Sequence, residues 1–152
     1  MRRDAQDHRW RIEHAQHLTA EDIPRFAELG VIASMQPSHA IGDLHFAPAR
    51  LGMERLKYAY AWRDLIDSGA TVIGGSDAPV EVGDPCIELH AAHTRTDLTG
   101  YSGEGWHPEQ AVAMREAVKM FTVWTAEASF DPDLTSRIAI GERADFTILD
   151  CK

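Results

Sequence analysis

The chain has 152 residues, and its 24 acidic and 15 basic side chains give a formal net charge of −9. Nucleic acids and anionic membranes both require a basic face, so this balance argues against either as a partner. The length suits one ordinary domain with a sizeable core, and the charged residues 1–9 lack the apolar stretch of a signal peptide or membrane anchor, so the expected location is the cytoplasm.

Cysteine and histidine content limits the kinds of metal site that are possible. Cys86 and Cys151 are too few and too far apart for a four-cysteine zinc site or a disulfide framework, and we interpret both as structural or incidental. Eight histidines provide more candidate ligands. Most histidines in any protein are solvated or packed, so position in the fold has to select among them.

The first half of the chain predicts strands alternating with helices. A strand at residues 10–14 is followed by a helix from Thr19, the expected N-cap, to the stop signal Gly30, and by a short apolar strand at 31–35. Residues 36–57 have no clear period and predict a long loop, which is followed by a helix at 58–67 and a strand at 71–74. Such alternation is typical of parallel sheets with right-handed crossovers.

The second half predicts mostly helices and then a hairpin. A helix begins near Pro85, and a loop at 97–105 separates it from a helical region at 108–130. The apolar residues of that region are too many for a single stripe, so we expect two helices or one helix buried on several sides. Residues 136–150 alternate in polarity around Gly141, as a hairpin does.

Two predicted strands each end in a side chain suited to holding a metal. His14 follows the first strand, and Asp77 follows the third. The carboxyl ends of parallel strands meet at one edge, where α/β enzymes carry their chemistry, so we expect both side chains there as metal ligands and catalytic residues. The alternatives are a packed histidine and a turn or N-cap aspartate. Two protein ligands are also fewer than the three, together with a water, that a catalytic metal site usually has.

Other polar residues follow the middle strand or flank Asp77. Gln36 and His39 would face the cleft between the outer strands, and we assign them, with Ser76, to substrate binding, with plain loop polarity as the alternative. His39, Asp43 and His45 have no regular element to fix them as a separate metal cluster. The pair His90 and His93 lacks the order of the zinc-protease motif, so we interpret it as a solvated helix face.

Four segments taken together resemble the amidohydrolase superfamily, and within it the YtcJ-like, amidohydrolase-3 group that includes N-substituted formamide deformylases. These segments are Arg-Ile-Glu-His-Ala-Gln at 11–16, Gln-Pro-X-His at 36–39, Gly-Ser-Asp-Ala-Pro-Val at 75–80, and Ile-Gly-Glu-Arg-Ala-Asp-Phe-Thr-Ile-Leu-Asp at 140–150. The resemblance covers nearly the whole chain. It matches His14 to the histidine after strand six and Asp77 to the aspartate after strand eight, and it places the last segment in a small β-sandwich.

This resemblance implies a metal-dependent hydrolase of non-peptide carbon–nitrogen bonds, acting on a small amide-like substrate. A metal-activated water would attack the substrate, with Asp77 as metal ligand and proton acceptor and with His14 binding the metal or orienting water and carbonyl. Zinc is the expected divalent metal, although iron, manganese or nickel also suit histidine and aspartate ligands. A deaminase of the same superfamily would share these residues.

The chain departs from the superfamily in what precedes His14. The resemblance implies a strand-one His-X-His or His-X-Asp pair, a strand-four residue and a strand-five histidine, yet only thirteen residues come before His14. Residues 39–43 look like the strand-five motif His-Ala-Ile-Gly-Asp, but chain order assigns them to strand seven. The predicted fold is therefore α/β, with residues 1–135 as strands six to eight of a (β/α)8 TIM barrel and 136–152 as a strand segment of the β-sandwich.

An incomplete barrel suggests two further expectations. The isolated piece is expected to be inactive, and its open sheet edges favour homo-oligomerisation. A truncated α/β module that self-associates or binds a partner without catalysis is therefore a second interpretation of the chain.

Overall fold

A computed structural model describes residues 7–102, 106–131 and 138–149 of the chain. Three parallel strands form one sheet in chain order: β1 (Arg11–Glu13), β2 (Ile32–Met35) and β3 (Val72–Gly74). Ala33 of the central strand is paired with Ile12 on one side and Val72 on the other. All four residues of β2 are buried, as expected for a strand covered on both faces. The predicted alternation and parallel sheet are confirmed.

Helix α1 (Asp22–Leu29) connects β1 to β2. It buries Ile23 and Phe26, and Gly30 ends it with a φ of 63°, as predicted. The prediction that Thr19 is the N-cap is wrong. Glu21 precedes the helix without a side-chain cap, and the Thr19 hydroxyl instead donates to an Asp22 carboxylate oxygen at 2.9 Å, because a separate turn comes before the helix.

The region between β2 and β3 contains helices where a long loop was predicted. Three short helices follow β2: α2 (Pro37–Asp43), α3 (Ala47–Leu51) and α4 (Met53–Leu56). Each is too short to show a hydrophobic period in the sequence. Pro37 and Pro48, which suggested a loop, lie in the first turns of α2 and α3, where the missing N–H has no helical partner to lose.

Helix α5 (Trp62–Asp67) begins four residues later than the predicted start at residue 58. Tyr60 has a φ of 52°, which a helix cannot contain, and Ala59 forms an isolated bridge with His17. After β3, helix α6 (Pro85–Thr94) begins as predicted, and the carboxylate of its N-cap Asp84 accepts a hydrogen bond from the Cys86 N–H at 2.8 Å.

The region 108–130 contains a single turn of 3-10 helix (Pro108–Gln110) and then α7 (Met114–Phe121) and α8 (Val123–Ala128). The backbone of Thr122 separates α7 from α8 with φ −130° and ψ −93°. Two helices rather than one are therefore present, and both contact β3. The core between the sheet and the helices includes the fully buried side chains of Met35, Leu65 and Met120.

The C-terminal tail does not form the predicted hairpin where it is described. Residues 138–149 contain a turn at 140–141 and no strand, while residues 136, 137 and 150 lie outside the described residues. Ile138, Ile140 and Ile148 are almost fully exposed, so their apolar side chains gain no burial of the kind that would stabilise a strand. The assignment of 136–152 to a β-sandwich stays a prediction. Among the described residues, no helix is long and apolar enough to cross a membrane.

Candidate functional site

The carboxyl edge of the sheet brings together side chains that follow all three strands. His14 leaves β1 with a φ of 69°, and Asp77 follows β3 with a φ of 55°. Non-glycine residues seldom adopt this left-handed region, which costs about 1 to 3 kcal/mol each. A backbone hydrogen bond from the His14 N–H to the Ser34 carbonyl, at 2.6 Å, holds the first of these turns against β2.

His14 is oriented by Gln36, the residue that follows the central strand. His14 Nδ1 lies 2.9 Å from Gln36 Oε1, and the Gln36 side chain is buried. Because an amide oxygen only accepts, Nδ1 donates in this contact, and in the neutral imidazole Nε2 then has the lone pair that a metal needs. An outer hydrogen bond of this kind is the usual partner of a metal-ligating histidine.

His39 lies between His14 and Asp77. Its ring stacks on that of His14 with centroids 5.6 Å apart, and its Nε2 is 4.0 Å from Asp77 Oδ2. Both ring nitrogens of His39 are buried and have no hydrogen-bond partner within the described part of the protein. Buried ring nitrogens without a hydrogen bond are groups that a bound ligand can satisfy.

Glu81 also faces His39, and it was not among the predicted site residues. Its Oε1 lies 3.8 Å from His39 Nε2. Within residues 77–86, Glu81 alone is not exposed, so a single side chain of this otherwise exposed loop turns back toward the site. No periodic pattern in this Pro- and Gly-containing segment distinguishes Glu81 from its neighbours.

Glu88 is a second acidic residue near the site that was not among the predicted site residues. Its side chain is 1 % exposed, and Oε2 accepts a hydrogen bond from the Ser38 N–H at 2.8 Å. Burial raises the pKa of Glu88, and this hydrogen bond partly opposes the rise. Helical spacing could have indicated this residue, because Glu88 shares one buried face of α6 with Ala91 and Ala92, at i, i+3 and i+4.

Ser76 lies half-buried between Gly75 and Asp77. The Gly75 N–H donates to the Met35 carbonyl at 3.1 Å, which continues the pairing with β2 up to this residue. The Ser76 hydroxyl lies beside Gly83, since a Cβ built on that glycine would be 3.7 Å from it. Its proposed contact with substrate stays a prediction.

The remaining candidate histidines and Asp43 have separate partners. Tyr60 donates its hydroxyl proton to Asp43, and burial raises the pKa of that tyrosine, with the Asp43 carboxylate adding to the rise. His45 Nε2 lies 3.1 Å from an Asp97 carboxylate oxygen. His90 and His93 each hydrogen-bond a backbone carbonyl, at 3.2 and 2.9 Å, while His93 is exposed and His90 is partly exposed on α6.

The donors at the edge fit part of a metal centre. Across residues 7–102, 106–131 and 138–149, no group of three or more His, Cys, Asp or Glu side chains is arranged to hold a metal ion. Yet His14 presents a free Nε2, and Asp77 presents a carboxylate that is 40 % exposed at the same edge. An imidazole nitrogen and a carboxylate oxygen are ligands that divalent metals such as zinc accept.

Parallel strands with histidine and aspartate at their carboxyl ends are an arrangement typical of α/β metal-dependent hydrolases. Comparison with known sequences supports this class, because residues 2–152 match the Amidohydrolase family profile. The chain belongs to the amidohydrolase family.

Individual relatives agree with that assignment. The chain is 34% identical to the YtcJ protein of Bacillus subtilis (strain 168) over 139 residues, which cover 91% of this chain and 26% of YtcJ. It is 30% identical to an N-substituted formamide deformylase of Arthrobacter pascens over 142 residues, 92% of this chain and 26% of that protein. The chain therefore spans about a quarter of the length of these relatives.

Solved structures give the same result for the fold. An uncharacterized metal-dependent hydrolase from Pyrococcus horikoshii OT3 superposes with a TM-score of 0.81 at 30% identity, covering 93% of this chain and 29% of that one. A mutant of the atrazine chlorohydrolase TrzN from Arthrobacter aurescens TC1, complexed with zinc and atraton, gives a TM-score of 0.60 at 26% identity, covering 89% and 26%.

Proposed function

We propose that this chain forms part of a metal-dependent hydrolase that cleaves non-peptide carbon–nitrogen bonds of small amide-like substrates. The observation that carries the proposal is the meeting of His14, Gln36, His39 and Asp77 at the carboxyl ends of three consecutive parallel strands. The formamide deformylase among the relatives supports the bond type, and the zinc-containing TrzN structure supports the metal.

In this proposal His14 Nε2 and Asp77 hold a divalent metal, with zinc preferred over iron, manganese or nickel. The ion would supply Lewis acidity that makes water more acidic and polarises a carbonyl. Asp77 accepts a proton and can pass it to the leaving nitrogen, because its carboxylate is partly exposed at the mouth of the site. Gln36 keeps the His14 ring oriented.

His39 and Ser76 are proposed to bind the substrate. The unpartnered ring nitrogens of His39 can donate to a carbonyl oxygen or accept from an N–H, and the stacked His14 ring keeps them near the metal ligands. Ser76 offers a hydroxyl next to Asp77. The same residues would suit a deaminase, so a substrate panel has to include amidines and aminated heterocycles as well as amides.

The placement of the sheet is also a proposal. We assign residues 1–135 to strands six to eight of a (β/α)8 barrel, and 136–152 to a strand of the accompanying β-sandwich. The relatives, about four times longer than the matched segment, have room for the other strands and for the remaining metal ligands. In this view the 152-residue chain is inactive alone, and the expected setting is a cytoplasmic protein without nucleic-acid or membrane partners.

The coding sequence upstream of the Met1 codon gives the first test. An in-frame extension encoding a His-X-His or His-X-Asp strand and a further strand-ending histidine would support the proposal. Robust metal-dependent hydrolysis of an N-substituted formamide by the purified 152-residue monomer would contradict the incomplete-barrel assignment.

Metal content gives the second test, in the longest polypeptide that contains this chain. We expect H14A and D77N each to reduce zinc retained after dialysis, measured by plasma mass spectrometry, by about tenfold or more. The matched controls are H45A and D67N, which remove a histidine and an aspartate outside the site. Unchanged zinc in H14A and D77N would contradict their assignment as ligands.

A second candidate function rests on the outer edge of β1. The side chains of Trp10 and Ile12 there are 70 % and 48 % exposed, and β1 is an edge strand of the sheet. Such an edge favours self-association, so a non-catalytic module that forms oligomers or binds a partner is the alternative.

A further inference from the structure

Helix α2 carries His39 in its first turn, and it begins without a cap from its own N-cap residue. Pro37 has no N–H, and the side chain of the N-cap residue, Gln36, makes no capping hydrogen bond. Instead, that side chain is engaged with His14 Nδ1 at 2.9 Å. The first helical N–H that needs a partner is therefore that of Ser38, and Gln36 is not available to supply one.

Glu88 supplies the missing cap from a different helix. Its Oε2 accepts the Ser38 N–H at 2.8 Å, and both residues are buried, with relative exposures of 1 % and 4 %. A carboxylate is a strong acceptor for an N-terminal helical N–H, and leaving a buried N–H without a partner is costly. Helices α2 and α6 contact each other directly, so this bond fixes the first turn of α2 against α6.

We propose that Glu88 is the positioning residue for the site: by capping Ser38, it fixes His39 on α2 and leaves Gln36 free to orient His14. The inference rests on the proposed function, which assigns His14 to the metal and His39 to the substrate. In this proposal Glu88 acts on His39 and Gln36 through its hydrogen bond from the Ser38 N–H.

Substitutions at Glu88 test this proposal by changing the length and the charge of the side chain independently. E88Q keeps an acceptor oxygen at the same distance, so it preserves the Ser38 bond. E88D keeps the carboxylate but is one methylene shorter, so it loses the bond. E88M, which fills similar volume without an acceptor, is the second disrupting variant and decides the question if E88D does not fold.

The matched control is R95M. Arg95 is also buried, as the C-cap residue directly after α6, and its guanidinium lies over the Trp62 ring at 4.4 Å. Its Nη1 donates to the Tyr60 carbonyl and its Nε to the Trp106 carbonyl, at 3.0 and 3.1 Å. Replacing Arg95 therefore removes a buried charge from the C-terminal end of α6 without changing Ser38, Gln36 or His14.

The experiment is NMR on the 152-residue chain, with each variant first checked for folding by circular dichroism. We expect E88D and E88M to lower hydrogen-exchange protection of the Ser38 amide by about tenfold or more. We also expect them to broaden or remove the His14 Nδ1–H signal, because Gln36 turns to cap α2 instead. Wild type, E88Q and R95M should retain both signatures.

Two results would overturn the inference. The first is full Ser38 protection and an unchanged His14 Nδ1–H signal in E88D and E88M. The second is loss of both signatures in R95M, which would mean that they report the general stability of α6. Neither readout requires activity or metal, so failure of the proposed function in the zinc experiment is distinguishable from failure of this positioning role.

Discussion

Close packing against Phe121 leaves no room for a side chain at position 74 of β3. A Cβ added to Gly74 would lie 2.5 Å from two ring carbons of Phe121, whereas a Cβ on Gly75 would meet only Gln36 Nε2, at an ordinary 3.8 Å. Glycine at position 74 is therefore what lets α7 pack onto the strand that leads to Asp77.

We expect G74A to destabilise the protein by roughly 1 to 3 kcal/mol, because the Phe121 ring has to move or leave its rotamer. G75A should change stability by less than about 0.5 kcal/mol. Urea unfolding followed by circular dichroism measures both variants. Equal midpoints for G74A and wild type would show that the Phe121 ring yields without cost.

Glu88 makes stability depend on pH in a direction opposite to that of most carboxylates. Its pKa is raised in the folded chain, chiefly by burial, so between the unfolded and folded values the folded state binds more protons. Stability therefore falls as pH rises through that window, and E88Q, which cannot ionise, should lack this fall.

Urea midpoints between pH 4 and pH 8 for wild type and E88Q test this expectation, and their difference should widen in favour of E88Q as the pH rises. E116Q is the comparison variant, because Glu116 makes stability depend on pH in the opposite direction. The pKa of Glu116 is lowered, chiefly by its hydrogen bond from Arg63, so that residue stabilises the fold above its ordinary pKa and the benefit is lost toward acid. Parallel curves for wild type and E88Q would refute the argument.

At the scale of the elements, glycine has different effects at Gly30, which ends α1, and at Gly42, which lies within α2. Gly30 has a φ of 63° and ends α1, with its N–H bonded to the Ala27 carbonyl and the next N–H to that of Phe26. Gly42 lies within α2 and has no left-handed φ, and a Cβ at either position would meet nothing within 4 Å.

We expect G30A to lower the free energy of unfolding by about 1 kcal/mol, since alanine in the left-handed region is strained. G42A should raise it by roughly 0.5 to 1 kcal/mol, because alanine has the higher helix propensity. Thermal unfolding of both variants measures the difference. Changes of the same sign in both would contradict this assignment of their roles.

The elements that the sequence predicted are those with a local signal. Periodicity and the stop signal Gly30 predicted α1, and the apolar run at residues 31–35 predicted β2. Helices α2 to α4 were missed because four to seven residues are too few for a period. Their stability comes from tertiary partners, such as Glu88 on Ser38, which no local pattern contains.

The residues of the site also divide into those with a local signal in the sequence and those without one. His14, Gln36, His39 and Asp77 follow strands, so parallel topology alone predicted that they would meet. Glu81 and Glu88 depend on a loop that folds back and on which face of α6 is buried, and both are settled by packing between elements far apart in the chain.

At the scale of the whole molecule, β1 is an edge strand of the sheet among the described residues, and apolar side chains are exposed beside it. A groove beside it is lined by Asp22, Arg25 and the apolar residues Ile12, Leu18, Phe26, Leu29 and Val31. In a barrel this edge would pair with a preceding strand. In the 152-residue chain we expect this edge to favour association between copies.

We expect the isolated chain to form dimers or larger species in light scattering at micromolar concentration. I12K, which places a charge on the edge strand, should shift the population toward monomer. V82K is the control, because Val82 is 83 % exposed in the loop at 77–86, away from β1. A wild-type chain that is cleanly monomeric would count against the association.

The left-handed backbone at residues 14, 15 and 77 has a consequence for how this sequence evolves. Glycine is the residue that occupies such conformations without strain, so a gene selected only for a well-folded product would drift toward glycine at positions 14 and 15, and toward glycine or asparagine at 77. Retaining an imidazole and a carboxylate there has a standing thermodynamic cost. Polymorphism at these three codons in natural populations would therefore distinguish a gene maintained for its chemistry from a decaying copy that only has to fold.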